Sequence, residues 1–466
     1  MKRSLLTLCA LVYSMFTANA SHLMGGQITA SWLGTGLDYQ VTMTLYRDTV
    51  GIPMYQTEEI NISADTLAGT SPNIFSITVP PAIAFGNGVE EYTYQQNVTF
   101  PSAGDYVIYW DNCCRNAAIL NFPNPDTHGM MLYTKVHVDS SNSTPVFLNP
   151  PIPIAQLGVP FTFNSLPFDP DGDSLAWRME IPLDQVISGG SLTLDTIPGY
   201  TNPSSDTSMP FTLNPATSEI SFLPDLQGHF VVSLAVDEFR AGVKIGEIRR
   251  DMQIIVLGSG NSPRIMNYTC NVTASQNRVI TFAPNTTLHL SLNVSDPVDN
   301  DVLNVNAAGR AFMTAHPPVF STSAGTNGTV NADLVWMPTL SEESTQSYVT
   351  SFRIGETHGG VTFYRDETFQ IRVNRSVGIE ELEGITQQSW NLHEGLLSGN
   401  LQTSKQGSMT IELISITGQI ILTHDAGLIT PGRHSFVLNA GDIKAGLYLV
   451  RTSIDGKPAG ISKTSY

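Results

Sequence analysis

Residues 219–243 read EISFLPDLQGHFVVSLAVDEFRAGV, and residues 334–361 read LVWMPTLSEESTQSYVTSFRIGETHGGV. Each opens with alternating apolar residues that end in two apolar residues and a proline: Phe222-Leu223-Pro224 in the first, Trp336-Met337-Pro338 in the second. A loop follows, then another alternating run, which is the pattern of a strand with one face in a core. Downstream, Arg250-Asp251 and Arg365-Asp366 each open a final strand, carrying Met252, Ile254 and Val256 in one copy and Phe369 and Ile371 in the other. Upstream, DPDGDSL (residues 169–175) has a looser echo in SDPVDNDVL (residues 295–303). The landmarks keep one order, and the proline and Arg-Asp landmarks lie about 115 residues apart, which indicates two diverged copies of one unit. The fold class is therefore all-β, with tandem Ig-like or cadherin-like β-sandwiches.

The rest of the chain has the same texture. Its 466 residues include 38 Gly and 28 Pro but only 14% charged residues, which favours strands and turns over long helices. The stretches QITASW, YQVTMTLYRD, EYTYQQNVTF and YVIYW are half-buried strands between turn-forming clusters. A proline-rich break at PVFLNPPIPI closes this N-terminal region. The expected domains are residues 21–141 (an N-terminal sandwich), 142–258 and 259–375 (the related pair), and 376–466 (a small module of some seven strands around Thr417-Gly418). Glu380-Glu381 read as a solvated linker face.

The first twenty residues, MKRSLLTLCALVYSMFTANA, have a basic start, an apolar centre and a small-x-small ending. They are expected to be a secretory signal peptide (residues 1–20) cleaved after Ala20. A net charge of −18 argues against a nucleic-acid surface, and cleavage removes two of the 23 basic residues. Cys9 leaves with the signal, so Cys113, Cys114 and Cys270 remain. Adjacent Cα atoms about 3.8 Å apart across a trans peptide do not suit a Cys113–Cys114 bond, so either one pairs with Cys270 or all stay reduced. No zinc-ligand spacing accompanies them.

The C-terminal module resembles the type A sorting domain of the type IX secretion system of Bacteroidota. The residues that carry the likeness are IELISITGQIIL (411–422), LITPGRHSFVLN (428–439), AGLYLVRTSIDG (445–456) and the late basic Lys463. An Asn-Pro pair usual early in that module is replaced here by LHEGLLSGNL. The remainder is similar to exported Bacteroidota proteins, through SHLMGGQITASW, TLYRD (44–48), CCRNAAI (113–119) and residues 236–257. Relatives often carry a cysteine after the YRD segment, where this chain has Thr49. The resemblance implies export across both membranes, the type IX machinery as partner through residues 376–466, and a secreted or outer-membrane surface location. It implies no particular ligand.

Asp169, Asp171 and Asp173 offer closely spaced oxygens of the kind calcium takes, and Asp237, after VVSLAV, is a candidate partner from the same end of a sandwich. An EF-hand is excluded: position six of the loop is Ser174, and Glu180 at position twelve lies along a strand, about 17 Å away. Asp-Pro and Asp-Gly also form turns without metal, so turn chemistry competes with calcium as the only cofactor considered. In the second copy Gly355 stands opposite Asp237, with Glu356 beside it. No catalytic motif surrounds any serine or histidine, and no catalytic residue is assigned. Trp32, Trp110, Trp177, Trp336 and Trp390 read as core residues before sugar platforms. The expected function is a non-catalytic structural or adhesive surface protein whose ligand is a surface, glycan or protein. The alternative is a carbohydrate-binding or enzyme-associated module.

Overall fold

A computed structural model describes residues 23–466 except 50–53, 55–56, 65–72, 79–82, 152, 185–193, 259–260, 262–263, 273–277, 326–327, 375–384, 416–418 and 445. The signal segment with Ala20, the linker Glu380-Glu381 and the turn Thr417-Gly418 lie outside the described residues. The regular structure of the described residues is almost entirely strand, with three short 3-10 turns. It divides into residues 1–373 and 374–466.

The N-terminal strands follow the alternation of their sequence. In Asp38–Asp48, Tyr39, Val41, Met43 and Leu45 are buried, while the residues between them are half-buried. They pack with Ile28, Ile108, Trp110, Leu132 and Val136 in one core. A second core lies under the first repeat copy and gathers Phe161, Phe163, Phe222, Val232, Leu234, Val236, Met252 and Ile254.

The two cores meet at one strand, Val243–Leu257. One of its edges pairs along its full length with Gly228–Arg240. The other edge is covered by three segments in turn. Glu247 and Ile248 face Lys135 and Thr134, Asp251 and Met252 face Gly26 and Gly25, and Ile255–Leu257 run parallel to Ile154–Gln156. The result is a sheet of 12 strands that runs from the N-terminal strands into the first repeat copy. The approach is close enough that only glycine fits: a Cβ on Gly25, which has φ of 149°, would lie within 2.9 Å of the Met252 Cα.

Charge pairing seals the same junction. Arg115 of CCRNAAI grips Asp251 with both terminal nitrogens (2.7 and 3.0 Å) and also donates to the carbonyls of Gly129 and Leu183. Both partners are buried. Asn121 completes the loop's docking by exchanging hydrogen bonds with the backbone of Val231. Arg250 is also buried, stacked 4.0 Å from the Phe147 ring centroid and donating to Gln27 and to the Asn149 carbonyl. Burial pulls its pKa down to about 9.

The second copy is a sandwich of two four-stranded sheets. Leu288, Leu290, Leu292 and Val294 point into its core, with His289, Ser291 and Asn293 on the other face. Trp336 is buried, as is Phe222 at the matching landmark of the first copy. The repeat extends to topology, because Val279–Phe282 runs parallel to Val361–Val373 just as Ile154–Gln156 does to the shared strand. Asp366, the landmark partner of Asp251, is held by Arg353 (2.8 and 2.9 Å) and accepts from the Asn164 amide of the preceding unit. Each Arg-Asp landmark thus supplies an aspartate that ties its unit to the one before.

Residues 385–465 form a separate sandwich of seven strands, three in one sheet and four in the other. Met409, Ile411 and Leu413 alternate into its core, and Gly399 lies directly under the Trp390 ring.

Cys113 and Cys114 are joined to each other, contrary to the expectation from sequence. The intervening peptide is cis and brings the Cα atoms to 3.0 Å, so the trans spacing that argued against the bond does not apply. Cys270 is free and half-buried.

Removing one side of a buried ion pair strands the other charge, at a cost of about 3–5 kcal/mol. Asp251→Asn is expected to lose that much in urea unfolding, and the double variant Arg115→Leu/Asp251→Leu to recover part of it. A single-variant loss under about 1 kcal/mol would show that the junction does not depend on this pair.

Candidate functional site

The turn 169–173 is built as an Asx cap. The Asp169 Oδ1 accepts from the backbone amides of Asp171 (3.0 Å) and Asp173 (2.8 Å), which folds the loop around a buried carboxylate. Asp171 turns away and accepts from the Ser143 amide at 2.5 Å. Asp173 is paired with Arg240, whose guanidinium also reaches Asp139 and the side-chain Oδ1 of Asn142.

Asp237 is not part of this group. Strand side chains alternate between faces, and Asp237 lies on the side opposite the turn, paired with Arg178 and with Lys244 (2.5 Å). The residue that joins the turn is its neighbour Glu238, fully buried and opposite Leu175 in the ladder. One carboxylate oxygen each from Asp169, Asp173 and Glu238 lie within 4.8 Å of one another. The signal was in the sequence: Phe230, Val232, Leu234 and Val236 face the core, and the same parity leads to Glu238.

Glu238 is an unusual group. Neither of its carboxylate oxygens accepts a hydrogen bond, and the Asp169 Oδ2 is likewise unpartnered. Burial, reinforced by Asp169 and Asp173, raises the Glu238 pKa to about 9 against the partial relief of Arg240 and Asn142. Burial also raises Asp169 to about 6, opposed by the amide of Asp173.

The second copy repeats the constellation with Asp296, Asp301 and Glu356. Asp296 accepts from the amides of Val298, Asp299 and Asp301, and Glu356 is opposite Leu303 as Glu238 is opposite Leu175. His358 stands where Arg240 does, bonded to Asp301 at 2.9 Å. The difference lies at the buried glutamate, because Arg264 donates to the Glu356 Oε2 at 2.7 Å. At the entry to the first copy the neighbouring side chain is Asn142, a neutral amide.

Beside the first turn is an open cleft of about 270 Å³, lined among others by Phe168, Asp169, Asp173, Trp177, Arg310 and Gln346. Trp177 is half-buried there and donates to the Asn214 carbonyl. Trp110 and Trp336 are fully buried and Trp390 nearly so, while Trp32 is half-buried.

No family model matches the chain, and no curated protein matches it. Among solved structures it is similar to a DUF4785 family protein of Legionella pneumophila, at 8% identity over 53% of this chain and 68% of that one, with a TM-score of 0.21. It is also similar to the Ig1–Ig3 ectodomain of mouse nectin-like molecule 4, at 10% identity over 68% and 96%, with a TM-score of 0.19. The third, protocadherin gamma B2 extracellular cadherin domains 1–5, aligns at 11% identity over 88% and 73%, with a TM-score of 0.18. TM-scores of this size carry no weight for function.

The acid cluster makes stability depend on pH. Glu238 has a folded pKa near 9 against an ordinary 4.5, so the folded state holds a proton that the unfolded state releases between these values. In the absence of divalent cations, stability is therefore expected to fall as pH rises through this window, by at most about 1.4 kcal/mol per pH unit. Glu238→Gln is expected to flatten that slope in urea unfolding measured across the range; an unchanged slope would assign it elsewhere.

Proposed function

We propose that this chain is a non-catalytic structural or adhesive protein, carried to the cell surface or released by the type IX secretion machinery. The observation that supports it best is the pair of sealed joints within residues 23–373. A protein that presents loops away from a surface must not bend between its domains, and here the joints are made of ladder pairing and buried ion pairs. Small polar interfaces between domains ordinarily allow relative motion. The address for export would be residues 376–466, a reading supported by the separate seven-stranded sandwich there and by its sequence likeness to type A sorting domains.

Glycan binding is a second reading, favoured by the cleft in which Trp177 and Phe168 lie beside Asp173, Arg310 and Gln346. An aromatic face with a few polar groups around it suits a sugar ring. On a glycan array, this reading is expected to give a signal that Trp177→Ala removes; no signal from the folded protein would set it aside.

The export reading has a direct test. Deletion of residues 376–466 is expected to abolish surface labelling in a type IX-competent cell and leave the remaining chain folded inside the envelope. Surface display that survives the deletion would overturn this route.

A further inference from the structure

We propose that Asp169, Asp173 and Glu238 form a divalent-cation site, best matched by calcium, and that the equivalent site in the second repeat copy has exchanged its ion for the guanidinium of Arg264.

The case rests on comparing two sites of one chain. Both place an aspartate that caps its own loop, an aspartate just before a strand, and a buried glutamate on the partner strand at the same register. In the second copy Arg264, itself buried, donates to the glutamate. In the first copy the side chain beside Glu238 is the neutral Asn142 amide, and among the described residues no hydrogen-bonding geometry is made to three buried oxygens: both of Glu238 and the Oδ2 of Asp169. Such groups cost free energy unless something supplies positive charge. Arg240 does not fill this need, because it is committed to Asp173, Asp139 and Asn142.

The donor set fits a hard cation. Every candidate ligand is a carboxylate oxygen, calcium takes six to eight oxygens, and carboxylates can bind through one oxygen or both. The remaining positions would go to water, and Asp169 and Asp173 line the open cleft, which gives an entry path. Transition metals that favour imidazole or thiolate have no such ligand among the three residues.

The test is calcium titration of the full exported chain by calorimetry at near-neutral pH, with thermal unfolding in calcium and in chelator. Wild type is expected to bind calcium and to gain a few degrees in midpoint. Glu238→Gln and Asp169→Asn are each expected to lose the response, whereas Glu356→Gln, in the copy that carries Arg264, is expected to keep it. Absence of binding heat and of any midpoint shift in wild type would overturn the proposal. So would a full response in Glu238→Gln, or a response to magnesium alone. If Glu238→Gln does not fold, Asp169→Asn decides the matter.

Discussion

The structure of residues 23–373 depends on one strand having to pair on both edges, with its own repeat copy on one side and with the N-terminal strands on the other. Val243–Leu257 belongs by sequence to the first repeat copy, and its even-numbered Ile248, Met252, Ile254 and Val256 fill that copy's core. Its free edge would otherwise expose a row of unpaired backbone groups, open to pairing with another chain. Here three segments cap that edge in succession, two of them from the N-terminal domain. The glycines at 25 and 26, the arginine of CCRNAAI and the buried Arg250 all lie along this strand because it is where backbone meets backbone. Their chemistry follows from that crowding: no Cβ where the strands touch, and a counter-ion wherever a charge is enclosed.

The same logic explains the landmarks that first marked the repeat. Arg250-Asp251 and Arg365-Asp366 look like markers of a strand start, but their aspartates are the points at which each unit holds its predecessor. The turn with its buried glutamate is the second repeated device, and it has diverged at the counter-charge. The second copy supplies Arg264 from the chain, while the first leaves both Glu238 oxygens without a hydrogen-bond partner.

The legible part of the fold was whatever local alternation encodes. Strands such as Asp38–Asp48 and Leu288–Ser295 follow directly from period-two burial, and the seven strands of the C-terminal sandwich were visible in the same way. What could not be read was partnership over distance. Nothing near Gly25 announces that it will touch Asp251, because the contact is set by the path of the chain and not by a local pattern. The Cys113–Cys114 bond was missed because a trans peptide was assumed. Glu238 was missed for a simpler reason. Asp237 is the first acid after the strand's apolar run, but parity along VVSLAVDEF assigns the inward position to the next residue.

Native-state hydrogen exchange across the junction tests the shared strand most directly. If the strand makes the N-terminal sheet and the first repeat copy one cooperative body, the slowest amides of Leu23–Trp32, Gly129–Val138 and Val243–Leu257 will open with a common free energy and respond alike to denaturant. If the slowest amides of Leu23–Trp32 and Gly129–Val138 open at a lower free energy than those of Val243–Leu257, the two are separate domains in contact, and the shared strand is not what holds them together.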